Sequence, residues 1–204
     1  MMKLILISLF TGFILFASAQ NDSVIKVHFL YGSKPLKSFK HKQQKWFGGM
    51  LGGHVGIEAD SGQVLSFVPK GKFHWIANNN NRHSSYVLQT TSGFYNILGS
   101  VDSAKRLIIY VPVSAAQRFV FDSLQKAYLS NPPYDYALLG MRCGAATYEL
   151  LSQIGVLLAY SYTATYLKIF YPKKLCKKLI KLANTNSWKM VHNAGTIERK
   201  WERD

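Results

Sequence analysis

The sequence predicts an α+β fold, and three observations carry that prediction. Short β-branched and aromatic runs recur up to Val113, a glycine-bearing turn joins two of them, and capped amphipathic stripes follow from Ser114 onward. Composition allows a packed core, because 48% of the 204 residues are hydrophobic and 17% are charged, against roughly 25% charged in an average globular chain. A disordered polycation is thereby excluded. No internal repeat or linker divides the body, so residues 20–204 are expected to form one domain.

Residues 1–19 read as a secretory signal peptide. Lys3 precedes an apolar stretch from Leu4 to Phe16, short for a spanning helix of roughly 20 residues, and Ala17-Ser18-Ala19 supplies the small-x-small exit. Export by the Sec route to the periplasm or beyond is expected, with Gln20 as the mature start. Val24 to Tyr31 is a strand ended by Gly32-Ser33, and residues 34–53 form a basic loop closing on glycines. His54 to Ala59 and Gln63 to Val68 flank Asp60-Ser61-Gly62, a three-residue hairpin turn with glycine at its left-handed position. Residues 69–103 read mostly as loop, with a strand around Tyr86-Val87-Leu88.

Lys105 to Val113 is a strand stopped by Pro112, after which Ser114 caps a helix striped by Phe119 or Val120, Leu124, Ala127 and Tyr128. Asn131-Pro132-Pro133 ends that helix. A second helix runs from near Arg142 to Gln153, is closed by Gly155, and carries Cys143, Thr147, Leu150 and Ile154 on one face. From about 172 a basic amphipathic helix, Pro172 to Ala183, sets Leu175, Leu179 and Leu182 against Lys174, Lys177, Lys178 and Lys181 and reads as a C-terminal extension whose leucines join the core and whose lysines form a solvated face.

The formal net charge is +15, from 25 Lys and Arg against 10 Asp and Glu. Nucleic acid is the first partner such a surplus suggests, but no stacking or groove-reading motif accompanies it. An exported protein meets acidic envelopes instead. Ten of the bases lie from Lys168 onward and five in the loop before His54. No CxxC, HxH or HExxH spacing occurs, so no metal and no cofactor is expected.

One pair carries chemistry. His54 opens a strand after a glycine-rich loop, and Cys143 opens a helix in Met141-Arg142-Cys143-Gly144-Ala145-Ala146. A thiol attacks as thiolate, and a helix N-terminus or an imidazolium lowers its pKa from about 8.5 toward roughly 3.5–7.5. Free N–H groups at that terminus can also hold a developing oxyanion. His54 would then shuttle the proton. Glu58 shares its face but lies about 13 Å along the strand, too far to orient the ring.

With a three-residue turn, Gly56 lies opposite Ser66 and His54 opposite Val68, so Ser66 sits one diagonal step from His54 and is the candidate orienting group. A two-residue loop would turn it away. His74 and His83 are looser alternatives. Plainer readings stand beside these: Cys143 as a core thiol, a Cys143 to Cys176 disulfide, His54 as a structural strand-edge residue, and His28 as a satisfied sheet residue.

Gly53-His54-Val55-Gly56-Ile57 with its hairpin, and Pro133-Tyr134-Asp135-Tyr136 followed by Arg142-Cys143 with Glu149-Leu150 in the same helix, resemble the circularly permuted branch of the papain-like cysteine hydrolases. That branch belongs with the NlpC-type cell-wall peptidases and includes lecithin:retinol acyltransferase relatives. The resemblance covers roughly residues 24–175. It implies a permuted papain-like fold in which the cysteine helix packs against an antiparallel sheet carrying the histidine. It also implies acyl hydrolysis or transfer through a thioester, with Cys143 as nucleophile, His54 as base and Ser66 in the third polar position. Serine departs from the family there, since it offers the imidazolium no negative charge. Tyr134-Asp135 is similar to a segment ahead of the family's cysteine.

The expected function is an exported cysteine peptidase or amidase acting on a peptidoglycan peptide or another envelope substrate. The expected alternative is a non-catalytic envelope-binding module that holds anionic polymer or lipid on its basic surface. Geometry separates them. A sulfur within about 4 Å of a His54 ring nitrogen, beside an open groove, favours the enzyme, and a buried thiol pointing away from His54 favours the binder. The partners expected are an anionic envelope polymer or peptide substrate, with peripheral membrane contact through the lysine-rich helix, no nucleic acid, and a monomeric state.

Overall fold

The computed structural model of the chain describes residues 23–41, 53–60, 62–71, 74–77, 83–98 and 102–203. The expected signal peptide, the Gln20 start, most of the glycine-rich loop and the Asn78 to Asn81 run lie outside the described residues. In chain order the strands are β1 (Ser23–Leu30), β2 (Ser33–Pro35), β3 (His54–Glu58), β4 (Gln63–Pro69), β5 (His74–Ile76), β6 (Ser84–Thr90), β7 (Arg106–Val113), β8 (Ala137–Leu139), β9 (Met190–Asn193) and β10 (Arg199–Trp201). The helices are α1 (Thr91–Tyr95), α2 (Ala115–Ser130), α3 (Cys143–Gln153), α4 (Tyr162–Lys168) and α5 (Pro172–Thr185). The chain is thus α+β. Its centre is a six-stranded antiparallel sheet in the order β6-β4-β3-β1-β7-β9.

The β3–β4 hairpin has the expected register: Gly56 faces Ser66, Ile57 faces Leu65 and Glu58 faces Val64. Gly62 takes φ +83°, a conformation that costs glycine little, and Gln63 N–H donates to Asp60 O at 3.2 Å to close the turn. Pairing to β4 stops at Gly56, while His54 still faces Leu30 of β1.

Side chains alternate across the sheet, so β1 and β4 feed two cores, one on each face. Val27, Phe29, Val55, Ile57, Leu65 and Phe67 lie in the larger core with α3 and with Leu175 and Leu179 of α5. Leu30 and Val64 point the other way and pack with Phe94, Tyr95 and Leu98. Glycines let elements approach: a Cβ at Gly144 would lie 3.0 Å from Pro172, so the starts of α3 and α5 touch through bare backbone.

Several local expectations need correcting. Part of the expected basic loop is β2, which pairs with β10 across almost the whole chain, a partner with no local signal. Residues 69–103 contain β5, the longer β6 and α1 besides loop. Pro112 does not stop β7. Tyr110 N–H points to Lys189 O beside β9, so two residues on the missing N–H of Pro112 faces an edge that β9 no longer covers.

In α2, Ser114 forms the expected cap as a full capping box with Gln117, but the inward stripe is shifted. Phe121 is fully buried and Phe119 is 73% exposed. The segment from 172 packs as part of the core, and β9 continues the main sheet.

Candidate functional site

Cys143 is the first residue of α3, whose N-cap Arg142 is extended and makes no side-chain cap bond. The thiol is 4% exposed and lies 4.0 Å from Gly53 O at the start of β3. Backbone N–H groups of Val55 and Gly144 and the hydroxyl of Tyr136 donate to the sulfur. Burial nevertheless outweighs these donors and pushes the Cys143 pKa up to about 11, so the neutral thiol is the resting species. Both Cys143 and Cys176 are free thiols, and Cys176 lies 3.7 Å from Tyr31 OH.

His54 is not joined to Cys143. Its ring lies 5.4 Å from that of Phe94, in the smaller core, and Nε2 is buried without a hydrogen-bond partner among the described residues. Burial pulls its pKa down to about 4. The physical reason is the two-residue period: Val55 and Ile57 share the face covered by α3, so His54, Gly56 and Glu58 face away from it. A Cβ on Gly56 would lie 3.0 Å from Phe94, which marks the same face.

Ser66 is on the His54 face, as the hairpin arithmetic requires, and its Oγ is also buried without a partner among the described residues. The three candidates therefore split two to one across β3 and β4. The cleft that reaches Gly53 is lined by Tyr31, Pro172, Lys173, Cys176 and Lys177 as well, and its volume of about 10 Å³ has room for one water.

The alternatives for orienting His54 are engaged elsewhere. His74 Nδ1 lies 3.1 Å from Asp135 Oδ2, and the His83 ring lies against His74 with centroids 3.8 Å apart and planes tilted by 45°. Asp135 thus holds His74, tying β5 to the segment before β8.

Glu58 anchors a buried network that the sequence reading did not assemble. Lys26 Nζ lies 2.5 Å from Glu58 Oε1, His28 Nε2 2.9 Å from Glu58 Oε2, and His28 Nδ1 2.8 Å from Tyr95 OH. Desolvation pulls the His28 pKa down to about 4 despite the carboxylate beside it. With Nε2–H toward Glu58, Nδ1 accepts from the Tyr95 hydroxyl. His28 is a buried sheet residue in this network, with Nδ1 bonded to Tyr95 and Nε2 close to the carboxylate but outside hydrogen-bond alignment.

Arg142 also has a different task from lending charge to the thiol. Its guanidinium donates to Phe170 O and sits 3.6 Å from the Phe170 ring centroid and 5.3 Å from that of Tyr171. It thereby braces the turn that leads into α5, where Lys173, Lys174 and Lys177 line a cleft with Tyr171.

Among the described residues no group of three or more His, Cys, Asp or Glu could hold a metal, and no helix is long and apolar enough to cross a membrane. Comparison with protein-family models, with curated proteins and with solved structures finds no match to this chain.

Proposed function

We propose that this chain is a non-catalytic module of the cell envelope that holds an anionic polymer or lipid on its basic surface. One observation carries the reading: the Cys143 thiol is buried on the α3 side of β3, while His54 points to the other. A thiol–imidazole pair needs hydrogen-bond contact to transfer a proton. The supporting chemistry is the lysine face of α5. Export through a cleaved signal peptide and a permuted papain-like ancestry for the fold belong to the same proposal.

A second reading, the exported thiol hydrolase with Cys143, His54 and Ser66, is favoured by the N–H groups of Val55 and Gly144 that reach the sulfur. It requires His54 to cross to the α3 face.

Iodoacetamide labelling of the native protein against pH separates the two. The binding module predicts that Cys143 reacts slowly at neutral pH and faster only as pH approaches about 11. Cys143→Ala then leaves binding to anionic vesicles unchanged. A labelling midpoint below neutral pH, with envelope-peptide hydrolysis lost in Cys143→Ala, would overturn the binding reading in favour of the hydrolase.

A further inference from the structure

We propose that the cleft formed by Tyr171, Lys173, Lys174 and Lys177 at the start of α5 takes a phosphate-bearing group, a phosphomonoester or phosphodiester. The inference deepens the binding function above and rests on it. The cleft has a volume of about 300 Å³, at the lower end of the roughly 300–1,000 Å³ of small-molecule sites. That is several times what a lone carboxylate fills and suits a phosphate with the carbon group that carries it.

The charge matches the ligand. Each lysine ammonium brings three donors and no acceptor, and a phosphomonoester offers three oxygens and a charge of about −1.5 to −2. Lys173 gives one donor to Arg203 O at 2.6 Å. Among the described residues no ion pair joins Lys173, Lys174 or Lys177 to a carboxylate. α5 itself contains no acid. Among the described residues, Glu202 lines the adjoining cleft with Lys173, Lys177 and Arg203, so positive charge prevails among those groups.

The aromatic wall and the helix that carries the lysines are held in place by packing. The Tyr171 ring meets Phe170 edge-on at 4.7 Å, and Arg142 braces both rings. Leu175 and Leu179 anchor the helix in the larger core beneath the lysines. Less ordering is then lost on binding, and Tyr171 offers a held aromatic face to the carbons next to the phosphate.

Calorimetry with glycerol 3-phosphate, and sedimentation with phosphatidylglycerol or phosphatidylcholine vesicles, test the cleft on purified protein. Lys174→Gln/Lys177→Gln should weaken binding about thirtyfold, and the charge-matched Lys70→Gln/Lys126→Gln no more than about twofold. All four lysines are exposed, so both variants should melt like the parent. Phosphatidylglycerol vesicles displaced by glycerol 3-phosphate identify a lipid headgroup. Binding of the soluble ester without the vesicles identifies a free phosphate compound. Equal weakening in the two double variants, with parental binding intact, overturns the cleft and spares the binding function. A parent that binds none of these probes sinks both.

Discussion

At His54 a fully buried imidazole keeps Nε2 without a hydrogen-bond partner among the described residues, beside the Phe94 ring. Its folded pKa, about 4, lies below the unfolded value of 6.5. The unfolded chain therefore binds the extra proton between those values, and the fold loses stability as pH falls from 6.5 toward 4. Replacing the ring by an apolar side chain removes that loss. In urea unfolding, His54→Leu should gain about 2 kcal/mol on the parent between pH 7 and pH 5, at ~1.36 kcal/mol per pH unit below 6.5. His28 titrates in the same window in both proteins, so the difference isolates His54. A pH-independent difference would mean that His54 has the same pKa in the folded and the unfolded chain.

The orientation of His54 was legible in the residues around it. Val55, Ile57, Leu65 and Phe67 alternate with Gly56, Glu58 and Ser66, and a covering helix buries the apolar set. Placing the cysteine helix on the histidine's side follows from the family likeness and not from this alternation.

Among the elements, α5 places its leucines in the core, as its amphipathic stripe leads one to expect. Leu175 and Leu179 are fully buried, and Pro172 rests on Gly144. Leu179→Ala should therefore cost about 2–5 kcal/mol, the range for a truncated core leucine. A loss under about 0.5 kcal/mol in denaturant melts would make α5 a surface appendage instead.

The helix itself was legible, from proline at its first position and leucines three and four apart, because those features are local. What it packs against was not, since nothing near residue 172 encodes the start of α3. The same limit explains α2, where Phe119, Val120 and Phe121 all suit an inward stripe and only the neighbouring sheet selects Phe121.

For the molecule as a whole, the formal net charge is +15, and α5 carries five lysines and no acid. Attraction to an acidic surface through such exposed groups is screened by salt, with a Debye length near 10 Å at 0.1 M and about 3 Å at 1 M. Sedimentation with phosphatidylglycerol vesicles should fall at least about tenfold between ~0.05 and ~0.5 M NaCl. Retention at high salt would point to apolar insertion instead.

The class of fold and the β3–β4 hairpin were readable because adjacent strands obey turn arithmetic. The sheet order was not, because β1 bonds to β7 and β2 to β10 without any local cue.

That last pairing has a consequence in time. Arg199 Nε donates to Ser33 Oγ, 166 positions away, at 2.8 Å. A chain emerging N-terminus first holds β2 without its partner until Trp201 has followed. Folds that depend on such distant pairings assemble in milliseconds to seconds, slower than those built from neighbours. The second strand is thus made long before the partner that secures it.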